Sequence, residues 1–303
     1  MGRWRGAGML PALMLAATAA LAQSPAEPAA PLPTLRWLVQ DMAPAFSYAH
    51  GHAPRVAEDL GDGEISGFLR LLIQRLPQYR HEFVEASLPR FETLVRQGAT
   101  LCSALHLRKP ERLEWLYFTQ LYPPLFSRQI HVIVHKDNLA RFQSQGQVLQ
   151  LSDLLQRKDL VGLLPRDRAF GPRIDGLLQA ASTQAPATVV AGRSMHLLAM
   201  LKAKRMDWTL DYPTVVDAMG GSDLVKLPLA EGRSTAVATM ACSRSAEGKQ
   251  RIEAIDAAVR KLAQDPQRDG WIRAWRGDAI DETERRAILR YMDERARGGS
   301  LVE

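Results

Sequence analysis

Only two cysteines, Cys102 and Cys242, occur among the 303 residues. So few exclude a disulfide-dense miniature scaffold and any cysteine-rich metal cluster. Beyond residues 9–21, no apolar run approaches the roughly 20 residues needed to cross a bilayer. No Gly-x-Ser-x-Gly elbow, Walker loop or dinucleotide fingerprint is present, which leaves those nucleophile and phosphate chemistries without a motif. Aromatics are sparse at 7%, and no basic stripe interleaves with them. Lys and Arg instead alternate with Asp and Glu, as over residues 281–297, in the manner of a solvated surface. A nucleic-acid partner is therefore not expected. Nor is a metal or other cofactor. His50 and His52 share a Gly-containing loop with no third ligand in view. His131 and His135 are four residues apart on a strand, which separates them by about 13 Å.

The N-terminus is built for export. Arg3 and Arg5 precede the apolar stretch 9–21, and Ala20-Leu21-Ala22 supplies an Ala-x-Ala cleavage site. The sequence predicts a Sec-type signal peptide, residues 1–22, cleaved after Ala22, and a periplasmic mature protein. Residues 23–33 form a Pro/Ala-rich flexible leader with no core pattern. Cleavage leaves 281 residues and lowers the net charge from +6 to +4. That length suits two lobes of ordinary domain size or one large domain. In an oxidising compartment two cysteines allow a single disulfide; two buried free thiols remain the alternative.

Hydrophobic periodicity gives an alternating β/α order. Residues 35–40 read as a strand, and the apolar positions between Ile65 and Leu76 fall on one helical face before Pro77 stops the helix. A strand over 79–85, a helix over 88–97 and a strand over 100–106 follow. This β-α-β-α-β run favours a parallel sheet flanked by helices. A second set continues: strand 129–135, helix 151–156, strand 160–164, helix 172–181, strand 187–191, helix 195–203 and strand 206–210. Strand 234–242 and helices over 247–263, 268–275 and 282–295 close the chain. The fold class is α/β with two lobes.

Residues 101–122, LCSALHLRKPERLEWLYFTQLY, join an apolar run, a turn at Lys109-Pro110, a helix start at Glu111-Arg112 and an aromatic segment. The arrangement resembles the Thr-x-Glu-Arg … Phe-Ser-x-x-Tyr signature of family 3 extracellular solute-binding proteins, the periplasmic amino-acid-binding type. The resemblance implies a type II periplasmic-binding fold, each lobe a mixed sheet flanked by helices, joined by a two-segment hinge. It assigns 33–122 and 236–303 to lobe one and 123–235 to lobe two, with 118–130 and 232–237 as the crossovers. It also implies that Cys102 and Cys242, on antiparallel neighbouring strands, form a disulfide.

The same resemblance nominates the ligand contacts. Arg112 would clamp a ligand carboxylate with its planar fork, aided by the backbone donors of a helix start. Lys109, where the family often carries a hydroxyl, adds a cation that suits an anionic ligand. Asp211 and Tyr212 close a lobe-two strand, where the family places an acid that pairs with a ligand amino group. Asp41 and Phe46 follow the first strand, and Arg166, with Arg168, follows strand 160–164; such strand ends face ligands in open α/β sheets. The implied function is capture of a small polar, carboxylate-bearing ligand, an amino acid or organic acid. A monomer would deliver it to an ABC importer or report it to a membrane sensor. Two alternatives belong to other classes: a cyclohexadienyl-dehydratase-like lyase on this fold, marked by an acid–base pair beside Arg112, and an orphan sensory or partner-binding protein.

Overall fold

The computed structural model describes residues 1–2, 31–125, 128–142, 148–165, 168–181, 188–190, 194–233, 235–277 and 280–303. The signal-peptide stretch 9–21 and Arg166 lie outside the described residues. Among the described residues every strand and helix belongs to the unit Leu32–Glu303.

Trp37 and Val39 of β1 (Thr34–Val39) are wholly buried, and β1 is an inner strand of a five-stranded sheet. It pairs in parallel with β2 (Arg80–Glu85) and with β3 (Cys102–Ser103). β10 (Ala238–Ser243), from the far end of the chain, inserts antiparallel between β3 and β4 (Leu116–Tyr122), giving the order β2-β1-β3-β10-β4. Helices α1 (Glu64–Ile73), α7 (Ala246–Gln264), α8 (Arg268–Arg276) and α9 (Glu282–Arg297) contribute to the core on one face, and α2 (Leu88–Arg96) to that on the other. Gly63, which precedes α1, sits where no side chain fits: a Cβ there would meet the Pro44 and Ala45 carbonyl oxygens at 2.5 and 2.6 Å.

The second sheet is antiparallel, with β5 (His131–His135) between β8 (Trp208–Asp211) and β9 (Leu224–Pro228). A parallel pair, β6 (Leu163–Pro165) and β7 (Thr188–Val190), extends it through the bridge between Gly162 and Trp208. Helices α3 (Leu151–Gln156), α4 (Pro172–Ala181), α5 (Ser194–Lys202) and α6 (Pro213–Ala218) accompany it. This half has apolar clusters of its own around Val132, Leu164 and Trp208 and around Ile133, Leu198 and Val216. The molecule is therefore two-lobed.

The crossovers meet at Gly232. Its carbonyl accepts the Ile130 N–H at 2.8 Å, and a Cβ on Gly232 would lie 2.1 Å from the Ile130 carbonyl oxygen. β4 keeps its pairing as far as Tyr122 opposite Ala238, so the first crossover begins later than residue 118. Three other expectations change. The strand expected over 100–106 shrinks to Cys102–Ser103, because the Ser103 hydroxyl accepts the Leu105 N–H and turns the chain out of the sheet. The helix start expected at Glu111-Arg112 is one 3-10 turn, Pro110–Arg112, before the chain enters β4. α6 and β9 fill the stretch after Asp211, where the periodicity shows neither. The disulfide is present: Cys102 and Cys242 stand directly opposite on β3 and β10, with a Cα–Cα distance of 4.0 Å.

Candidate functional site

A cavity of about 420 Å³ lies where the two sheets face each other. On the side of the five-stranded sheet its walls come from the chain after β1, the first turns of α1, the turn after β3, and the ends of β4 and β10. Arg112 occupies the 3-10 turn and lines the cavity half-buried. Its Nη1 donates to the Leu107 carbonyl at 2.9 Å, a bond within its own loop that sets the direction of the guanidinium. Next to it His106 is buried, with Nδ1 2.8 Å from Ser103 Oγ and its ring 4.6 Å from that of Phe91. Burial, and secondarily the Arg112 charge, lower the His106 imidazole to about 3, so it is neutral at physiological pH.

From the other sheet come Arg168, Asp211 and Tyr212. Asp211 ends β8 and is 1% exposed. Its Oδ1 accepts from Arg168 Nη2 at 2.9 Å and from the Tyr212 N–H at 2.8 Å. The Arg168 guanidinium lies 5.3 Å from the centre of the Tyr212 ring and 5.0 Å from that of Phe170. Burial opposes the Arg168 charge, and Asp211 with Tyr212 more than offsets it, so the guanidinium stays charged.

At the base of the cavity Arg128, on the first crossover, donates through Nε to Glu64 Oε2 at 3.1 Å. Glu64 also accepts the Tyr122 hydroxyl at 2.8 Å and approaches Arg276 Nη1 at 3.4 Å. Burial and the adjacent Glu64 push the Tyr122 phenol well up, so it remains a donor. The Arg128 guanidinium also sits 6.0 Å from the Tyr212 ring, linking the crossover to the second sheet. No residue in this group had a sequence motif. The one available signal is that Arg128 is the sole charged residue between Phe118 and Ile130, a segment already expected to carry the hinge.

Of the expected contacts, Arg112, Asp211, Tyr212 and the exposed Asp41 line one cavity. Two do not. Phe46 is 0% exposed and packs into the apolar core under α1, because its carbonyl pairs back to Met42 and turns the side chain inward. Lys109 reaches across to the other lobe instead, where Nζ meets Asp175 Oδ2 of α4 at 2.9 Å. The rings of His50 and His52 are 5.9 Å apart, and among the described residues no group of three or more potential metal ligands forms. No helix among the described residues is long and apolar enough to cross a membrane.

No protein-family model and no curated protein matches the sequence. Solved structures do match in shape. A mutant of ArgBP from T. maritima has a TM-score of 0.57 at 16% identity, covering 80% of this chain and 95% of that one. The amino acid ABC transporter substrate-binding protein AbpA from Streptococcus pneumoniae, solved with L-arginine, gives 0.57 at 18% identity over 83% of this chain and 97% of its own. A structure from the study of glutathione import via GshT in Streptococcus mutans gives 0.59 at 11% identity, over 83% and 99%. Identities this low speak for the fold, and the fold they share with this chain is that of the two-lobed ABC-transporter substrate-binding proteins.

Proposed function

We propose that this protein captures a small organic solute in the interlobe cavity and releases it to a membrane partner, an ABC importer or a sensor. The observation that carries the reading is the cavity itself. Both sheets line it, its volume of about 420 Å³ lies within the usual range for small-molecule sites, and Arg112 faces it from one lobe opposite Asp211 and Tyr212 from the other. The structurally similar proteins include one solved with L-arginine and others named for amino acid transport, which supports a solute of that size. We assign residues 33–122 and 236–303 to lobe one and 123–235 to lobe two. Export with cleavage after Ala22, a periplasmic location and a monomeric state complete the proposal. Turnover is not part of it, in keeping with the similar structures, which are named as binding proteins.

In this reading Arg112 holds the ligand carboxylate. A thermal-shift screen of small acids and amino acids identifies the ligand, since one at 100 times its Kd stabilises by about 2.7 kcal/mol. Arg112→Ala should then weaken binding by about 2–5 kcal/mol, the cost of truncating one side of a buried charge pair. The Leu107 hydrogen bond, worth about 1 kcal/mol, is lost from the folded state as well. Arg112→Lys should recover part of the affinity, because it keeps the charge without the fork. Unchanged affinity in Arg112→Ala would remove this residue from the site.

A further inference from the structure

The base of the cavity is short of negative charge. Glu64 serves three partners there: Arg128 Nε at 3.1 Å, the Tyr122 hydroxyl at 2.8 Å and Arg276 Nη1 at 3.4 Å. Tyr122 stays neutral, so among the described residues one carboxylate faces two guanidiniums and a positive charge is left over. The side chains of Glu64 and Arg276 are 9% and 6% exposed, so water does little to offset it. Arg276 Nε, also buried, has no hydrogen-bond partner among the described residues, a second sign that acceptors run out here before donors do.

Arg128 is the member of this cluster that a ligand can reach. Its side chain is 20% exposed and lines the cavity, which Glu64 and Arg276 do not. Its bond to Glu64 uses Nε. Among the described residues Nη1 and Nη2 make no hydrogen bond, and neither is a buried atom. The acids of the lining do not supply the missing charge. Asp211 is 1% exposed and holds Arg168 and the Tyr212 N–H, and Asp41 lies exposed to water, where its field is screened.

We propose that the ligand is a dicarboxylate, with one carboxylate at Arg112 and the second on the Nη pair of Arg128. The first half of this rests on the reading above that Arg112 takes a carboxylate. A carboxylate accepts two parallel N–H bonds from such a pair, and it brings the cluster the acceptor and the negative charge that it lacks. A monocarboxylate leaves that charge unmet. Both guanidiniums are tethered, Arg112 to the Leu107 carbonyl and Arg128 to Glu64, so the two anionic positions stand at a set separation.

Titration calorimetry on the whole mature protein with matched probes tests this: glutarate against pentanoate, and adipate against hexanoate. Each pair has the same carbon chain and differs in the second carboxylate. The diacid should bind at least about tenfold tighter, the worth of one charge-assisted contact. From succinate to pimelate, affinity should peak at one chain length. Arg128→Met should weaken the best diacid by at least about tenfold and leave its matched monoacid within about twofold, a split that a general loss of structure does not produce. Monoacids that bind as tightly as diacids overturn the inference and leave the solute-binding reading standing. So do affinities that ignore chain length, and an Arg128→Met variant that weakens both acids alike. Failure of every acid to bind overturns the carboxylate role of Arg112 as well.

Discussion

Mild acid should destabilise this protein before its carboxylates begin to titrate, and His106 is the main reason. Its imidazole is 3% exposed, enclosed by the Phe91 and Trp115 rings with centroids at 4.6 and 6.0 Å, and lies near the positive Arg112. Burial first, and that charge second, hold its pKa at about 3 in the folded state. In the unfolded chain a histidine titrates near 6.5. Between these values the unfolded state binds a proton that the folded state refuses, so stability is complete above about pH 6.5 and falls as the pH drops toward 3. The slope is about 1.4 kcal/mol per pH unit, so about 2 kcal/mol is lost by pH 5. His81, lowered chiefly by burial, adds in the same direction. Urea unfolding at pH 7.5, 6.5, 5.8 and 5.0 stays above most carboxylate titration and isolates the histidines. His106→Gln keeps a polar group without a titrating one. It should be less stable than the parent at pH 7.5 and approach it by pH 5. Parallel stability curves for parent and variant would refute the argument.

The disulfide joins residues 140 positions apart, and replacing both cysteines by alanine should cost about 5 kcal/mol on the chain-entropy account. A loss below about 1 kcal/mol in urea unfolding would show that the unfolded chain is already constrained. Lys109 and Asp175, 2.9 Å apart on opposite lobes, should favour the closed cleft. Lys109→Met should shift the balance toward open by about fivefold, or about 1 kcal/mol, and raise the radius of gyration in small-angle scattering; an unchanged radius would mean the pair holds nothing. Asp256 accepts Thr119 Oγ1 and Arg295 Nη2, each at 2.7 Å, with Arg295 2% exposed. Asp256→Ala should cost about 3–5 kcal/mol in unfolding free energy by stranding that guanidinium, and a loss under 1 kcal/mol would deny its burial as an ion.

Long amphipathic elements were legible because burial repeats along them. The face of Ile252, Ile255, Val259 and Leu262 marks α7, and the Ile65–Leu76 face marks α1, within a few residues of their observed ends. β3 was legible in position and not in length, since the Ser103 hydroxyl capturing the Leu105 N–H is a local contest that hydrophobicity does not register. The turn at Pro110–Arg112 misled for a related reason: Pro-Glu-Arg begins a helix and a 3-10 turn equally well, and β4 pairing with β10 decides which. Arg112, Asp211 and Tyr212, nominated by the family resemblance, line one cavity. Glu64 and Arg128 were not legible, because their ion pair spans 64 residues and exists only once the crossover packs on α1. Lys109 carried the right charge for the wrong partner. Its sequence neighbours place it near the cleft, and only α4 coming across it supplies Asp175.

The strengths of the cavity's contacts indicate how the lobes separate. Glu64 holds Arg128 with its side chain 9% exposed and with Tyr122 and Arg276 beside it, and breaking such a buried pair costs about 3–5 kcal/mol. The Arg128 contact with the Tyr212 ring is long, at 6.0 Å, and such a contact is worth about 0.5–1 kcal/mol. On opening, Tyr212 therefore leaves first, and Arg128 stays with α1. On the other side Arg168 and Asp211 move together, tied at 2.9 Å behind the same tyrosine. Each lobe thus keeps its half of the site assembled when the cleft is open. Gly232 lets the crossovers pass at a separation where no side chain fits. Closure then has little to rebuild beyond the Tyr212 contact and the Lys109–Asp175 bridge. If the protein binds a solute as proposed, most of the free energy of ligand contact remains available as affinity, because a preorganised site spends little of it on ordering side chains.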